Sequence, residues 1–148
     1  PIVVQPSTGA VGIFALLFSQ VSFRNLGINF ALFSRADYNF ENNQNYYFAP
    51  SIQTSLIVSK ELFPNLVFVA ELKSDFRFRD RYCDTLYPNT GSSVLLVEPQ
   101  INYKFKDIGL SLSSEIPIYQ YFNGEQIGNG FAFGVYFHWL LNFNKKRL

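Results

Sequence analysis

The clearest pattern in the chain is a strict alternation near its end. Phe131 to Phe143 runs FAFGVYFHWLLNF. Phe131, Phe133, Val135, Phe137, Trp139, Leu141 and Phe143 share one parity. Ala132, Gly134, Tyr136, His138 and Asn142 share the other, and Leu140 is the one misfit. Period two is the signature of a strand, because successive side chains point to opposite faces. One face carries bulky aromatics along its whole length and needs a second sheet, a helix or lipid against it. No other stretch of the chain has a helical period able to supply that cover.

Six more runs repeat the pattern upstream. The first strand is expected over about Val11 to Arg24, with Val11, Ile13, Ala15, Leu17, Val21 and Phe23 opposing Phe14, Leu16, Phe18, Gln20, Ser22 and Arg24. Both faces are apolar near its start. The second spans about Ile28 to Asn39, with Ile28, Phe30, Leu32, Ala36 and Tyr38 opposing Asn29, Arg35, Asp37 and Asn39. The third is placed at about Tyr47 to Lys60, with Pro50 near a strand end or a bulge because proline cannot donate to a ladder. The fourth, about Leu66 to Arg79, sets Leu66, Phe68, Ala70, Leu72, Phe76 and Phe78 against Glu71, Lys73, Asp75, Arg77 and Arg79. The fifth covers about Val94 to Lys106 and the sixth Ile108 to Tyr119.

Each run is longer than the ~5–6 residues usual for a soluble strand and exceeds the ~9–11 needed to cross a bilayer at a tilt. The connections alternate as well. Those near residues 25, 62 and 107 are short, and those near 43, 86 and 125 are long. Short turns at one end and long loops at the other are the habit of outer-membrane barrels. The expected fold is therefore all-β: an antiparallel up-and-down meander forming part of a transmembrane β-barrel, in one domain over residues 1–148. Bacterial barrels have even strand numbers. Seven strands would force a parallel closing pair, so an odd number of upstream strands is expected to be supplied from elsewhere.

Composition sharpens this picture. The chain has 17 Phe and 9 Tyr, and charged residues are only 16 % against a usual value near 25 %. Mean hydropathy close to zero suits strands with one greasy and one polar face. A net charge of +1 gives no electrostatic case for nucleic acid. One cysteine, Cys83, excludes an internal disulfide and a cysteine-rich metal site. Residues 1–23 carry no charge, but their purely apolar core, Ala10 to Phe18, is too short for a helical span of ~20 residues, and no basic segment precedes it.

Glu115 to Gly128, EIPIYQYFNGEQIG, resembles the closing hairpin of the outer-membrane family labelled "meta-pathway phenol degradation" or "transporter". The positions that carry the likeness are Pro117, Ile118, Tyr119, Gln120, Asn123, Gly124, Gln126 and Gly128. Asn89-Thr90-Gly91 through Pro99 and Tyr103 is similar to the family's preceding loop and strand, and Pro6-Ser7-Thr8-Gly9 to a loop that lies mid-chain there. The resemblance implies the C-terminal part of a longer barrel that passes small molecules, hydrophobic ones among them. Five residues follow Phe143, whereas such barrels usually end on the aromatic.

Two sets of side chains are candidates for function. Arg35, Asp37, Glu71, Lys73, Asp75, Arg77, Arg79, Glu98, Lys104 and Glu115 would line one lumen, either as a selective polar pore or as an ion-pair network that closes a narrow barrel. Phe14, Leu16, Val94 and Leu96 would form an apolar vestibule near the outer end, or a contact with a plug, a loop or an upstream strand. Trp139, Tyr38 and Tyr103 suit an interfacial belt.

Enzymatic chemistry is not expected. His138 is the only histidine and no Gly-x-Ser-x-Gly elbow exists. There is no phosphate loop or dinucleotide fingerprint. Neither a metal nor a cofactor is expected. The expected partners are the lipid bilayer and either other outer-membrane proteins or an upstream segment completing the barrel; the expected location is the bacterial outer membrane. Two other readings stand beside a channel: a closed-lumen scaffold in a larger envelope assembly, and a soluble lipocalin-like barrel with its aromatic faces turned inward.

Overall fold

The structure, a computed structural model, describes residues 9–139. Seven long strands form one antiparallel sheet: β1 (Gly12–Phe23), β2 (Ile28–Asn39), β4 (Ser51–Phe63), β5 (Leu66–Arg77), β8 (Ser92–Phe105), β9 (Ile108–Phe122) and β10 (Ala132–Trp139). They lie side by side in chain order, so the meander is as expected. Three two-residue strands, β3 (Tyr46–Tyr47), β6 (Arg81–Tyr82) and β7 (Thr85–Leu86), make a second small sheet from the long loops. No helix among the described residues is long and apolar enough to cross a membrane, which says nothing of strands. The expected extension of the last strand through Leu140 to Phe143, the basic tail and Pro6-Ser7-Thr8 lie outside the described residues.

Several expected boundaries move, three of them with consequences. The third strand splits: Tyr47 belongs to β3, and β4 starts after Pro50, which ends the ladder because it has no N–H to give. The fourth strand ends at Arg77, so Arg79 leaves the ladder and sits in the loop. The sixth runs on to Phe122.

The short turns are stereochemically specified. Between β1 and β2, Gly27 has φ 61° and closes one 3-10 turn with its N–H on the Arg24 carbonyl. Between β4 and β5, Pro64 is followed by Asn65 at φ 74°, the residue choice of a type II turn. Lys106 and Asp107 join β8 to β9 with Lys106 at φ 54°.

Register carries the two faces across the whole sheet. Leu32, Leu56, Leu72, Val97 and Ile116 are successive cross-strand partners and form one row of the apolar face. Leu16, Arg35, Gln53, Asp75, Val94 and Gln120 form a row of the other. Within the described strands only Lys60 puts a charge on the apolar face, beside the short turns.

That apolar face has no protein cover. Phe133 is 78 % exposed, and Val135, Phe137 and Trp139 follow it closely. The polar face is the more sheltered one, with Ser111 and Val94 buried on it. Among the described residues the buried apolar side chains are only Tyr46, Ala49 and Val94, so the sheet has no hydrophobic core of its own. Its edges are β1 and β10, and among the described residues no pairing joins them, so the described sheet is open and not a closed barrel.

Candidate functional site

The charged ladder assembles on the polar face as ion pairs. Glu71, Lys73, Asp75 and Arg77 alternate along β5. The Lys73 ammonium donates to Glu98 on β8 and reaches Glu115 on β9 at 3.5 Å, so one cation bridges three neighbouring strands. Glu71 is the cross-strand partner of Glu98, which puts three carboxylates around that lysine. On β2, Arg35 holds Asp37 through two nitrogens at 2.7–3.0 Å and its guanidinium lies 5.2 Å from the Phe14 ring. Asp75 accepts a hydrogen bond from the Gln53 amide at 3.0 Å. Lys104 shares the polar face of β8 with Glu98 but stands two rows nearer the turns than Gln100.

The apolar vestibule is not one patch within the sheet. Phe14 and Leu16 sit on β1, exposed. Leu16 and Val94 occupy the same row, but Arg35, Gln53 and Asp75 on three intervening strands separate them. Val94 is 6 % exposed, and Leu96 edges a hollow of about 220 Å³ with Gln53, Ser55, Lys73 and Asp75. Parity had grouped these four residues; distance around the sheet divides them.

Sequence reasoning missed the hub of the loop end. Asp80, 2 % exposed, accepts from the Tyr46 hydroxyl at 2.8 Å, the Ala49 N–H at 2.9 Å and the Arg77 guanidinium at 3.0 Å. Its own N–H donates to Thr90 Oγ1 at 3.1 Å, and its carbonyl accepts from the Tyr87 N–H at 2.8 Å. Asn42 folds the first loop by accepting the N–H groups of Gln44 and Tyr46. Burial, then the hydrogen bond to Asp80 and its charge, push the Tyr46 phenol well above its ordinary range. A single aspartate after a charged run gives no periodic signal, so only its surroundings reveal it.

The motif residues that carried the family likeness meet here. The Asn89 side chain accepts the Glu125 N–H at 2.9 Å and lies against Gly124, where a Cβ would collide with it. The Gln126 amide donates to the Gly91 and Asn123 carbonyls at 3.0 and 2.9 Å. Gln120 both donates to and accepts from the Asn129 backbone at 2.8 and 2.7 Å. These residues lock two long loops together; none of these bonds leaves a group aimed at a solute. Cys83 is exposed in the β6–β7 turn, and the His138 ring lies over Gly109 on the neighbouring strand. No cluster of potential metal ligands is present among the described residues.

A second overlooked feature is in the wall. Pro99 stands in the middle of β8, which is paired on both sides. The β8–β9 ladder shifts register at Leu95/Leu96, where Pro117 faces Leu96, and runs on to Val97↔Ile116. It resumes only at Gln100↔Ser113, so Glu98 and Pro99 are left without ladder partners in Glu115 and Ser114. The β1–β2, β2–β4 and β5–β8 ladders have no such break. Proline in an interior strand removes a ladder donor, and its position in the run was the available signal.

Compared with protein-family models, with curated proteins and with solved structures, the chain matches none.

Proposed function

We propose that this chain is the C-terminal part of a bacterial outer-membrane β-barrel with a passive channel role for small solutes, hydrophobic ones included, and no enzymatic chemistry. The observation that carries this reading is the uncovered apolar face. It spans seven strands, on the order of 1,000 Å² from strand spacing and rise, against the ~300–600 Å² of the largest patch on a typical soluble monomer. Water is a poor solvent for such a face, and lipid is a good one. Charges collect on the opposite, sheltered face and pair there. Tyr103, Phe105 and Trp139 stand near the short turns and Tyr38 and Phe40 near the long loops, as two aromatic girdles would. A lipocalin-like barrel needs the reverse distribution, with the aromatic face buried.

Hydrocarbon forbids unpaired strand edges, so the edges at β1 and β10 require partners. β1 and β10 run in the same direction, being first and last of seven alternating strands. Joining them directly would be a parallel contact. An odd number of further strands closes the barrel antiparallel throughout, and they would come from an upstream segment or another outer-membrane protein.

The test uses the single tryptophan. In vesicles containing lipids brominated on their acyl chains, Trp139 fluorescence is expected to be quenched. Fluorescence unaffected by brominated lipid would sink the membrane reading. The tied loops favour a second reading, a closed-lumen scaffold, because they bring all three long connections together over one end. Planar-bilayer conductance separates the two: a channel conducts and a closed scaffold does not.

A further inference from the structure

Resting on the membrane reading above, we propose that the β8–β9 seam at Pro99 is a lateral route by which small neutral apolar molecules pass between the lumen and the bilayer. Three independent features coincide there. The first is the interruption of backbone pairing at Glu98-Pro99 and Ser114-Glu115, one row from the bulge at Leu95/Leu96. The second is outside. Directly behind the interruption the apolar face holds a crevice of about 350 Å³. Its floor is Pro99 and Ser114, and Phe68, Ile101, Leu112 and Phe133 wall it. It exists because the row Ala70, Pro99, Ser114 is made of small residues between bulky rows. No charged side chain lines it, so its occupant is neutral and apolar.

The third is inside. Lys73 spans the same point, binding Glu98 on one side of the seam and Glu115 on the other. Where Pro99 has no N–H to give to the ladder, a side-chain ion pair ties the two strands. Side-chain pairs rearrange by rotamer changes, whereas a ladder must be unzipped. The seam is therefore the one place in the described wall where β-strands are held by a latch. Transfer through it breaks and forms no covalent bond.

The experiment uses the full chain in whole cells, with Cys83→Ser to remove the native thiol and 1-N-phenylnaphthylamine as the neutral apolar probe. Glu98→Cys with Glu115→Cys places a disulfide across the seam. Ser59→Cys with Val69→Cys, cross-strand partners on the same face of β4–β5, is the control. Dye influx through the oxidised seam variant is expected to fall to that of cells lacking the protein, and reduction is expected to restore it. The control pair should leave influx unchanged in either state. Lys73→Met, which opens the latch, should raise influx. Equal influx in the oxidised and reduced seam variant overturns the route, as does an equal drop in the control. Influx no higher than in cells lacking the protein, while Trp139 is still quenched by lipid, overturns the route and leaves the membrane reading standing. Loss of quenching fails both.

Discussion

The long-stranded wall and the loop end are held by different physics. In the wall almost nothing is buried, and the strands are joined by backbone ladders whose registers run unbroken over ten or twelve pairs in β1–β2, β2–β4 and β5–β8. At the loop end, Asn42, Tyr46 and Ala49 of one loop and Asp80 of the next are buried, and specific side-chain hydrogen bonds do the joining. Away from the seam at Pro99 and the glycines under neighbouring side chains, the wall is specified mainly by polarity at the right parity. The loop end depends on particular atoms. On the membrane reading proposed above, solvent accounts for the difference: a wall in lipid would need only an apolar outside and satisfied backbone, while loops in water would need a polar core of their own to hold a shape.

The largest expected effect tests the wall by parity. Leu72 and Glu71 are neighbours on opposite faces of β5. Leu72→Arg is expected to destabilise the folded protein in bilayers by about 2–4 kcal/mol, the cost of a cation near mid-membrane. Glu71→Arg should cost much less, because it faces its register partner Glu98 and forfeits only the charge that Glu71 offers Lys73. Urea unfolding in lipid vesicles measures both. Equal costs would mean that the two faces see the same solvent, and the contrast between wall and loops would lose its cause.

Next in size is the hub. Asp80→Ala leaves the Tyr46 hydroxyl and the Ala49 N–H without their acceptor in a buried site. Each orphaned donor costs ~1–3 kcal/mol. The loop end can open locally while the sheet stays paired, so the loss is expected in hydrogen exchange at residues 42–49 and 80–90, with little change in global unfolding. A fall in global stability as large as that of Leu72→Arg would show that loops and wall form one cooperative unit.

This contrast also governs how much was legible in the sequence. Parity alone placed seven strands in order, put Glu71, Lys73, Asp75 and Arg77 together with Glu98 and Glu115, and located every short turn. Periodicity is a property of many residues at once and survives the misreading of any one. It failed where a single residue decides. Asp80 and Asn42 act through geometry that no spacing encodes. Pro99 was visible as a proline inside a run, yet only the register shows that it interrupts one ladder and spares the other. The grouping of Phe14 and Leu16 with Val94 and Leu96 spans strands that are not adjacent in the sheet. Parity tells which face a residue occupies but not how far around the sheet it lies.

The smallest effect separates the two causes that act on Tyr46. Its phenol is pushed up first by burial, then by its hydrogen bond to Asp80 and that carboxylate's charge. A phenol raised in the folded state adds stability that is fully present below its unfolded value of about 10 and is lost as pH climbs from there through the folded value. The loop end is therefore expected to hold through neutral and mildly alkaline pH and to loosen only above about pH 10. Absorbance at 295 nm follows the tyrosines together, and Tyr46→Phe should remove the last step of the titration. Asp80→Asn keeps an acceptor and the burial but removes the charge, so the step should move down yet stay above the ordinary phenol range. A step that falls all the way to that range would make the carboxylate, and not exclusion of water, the agent that holds the loop end together.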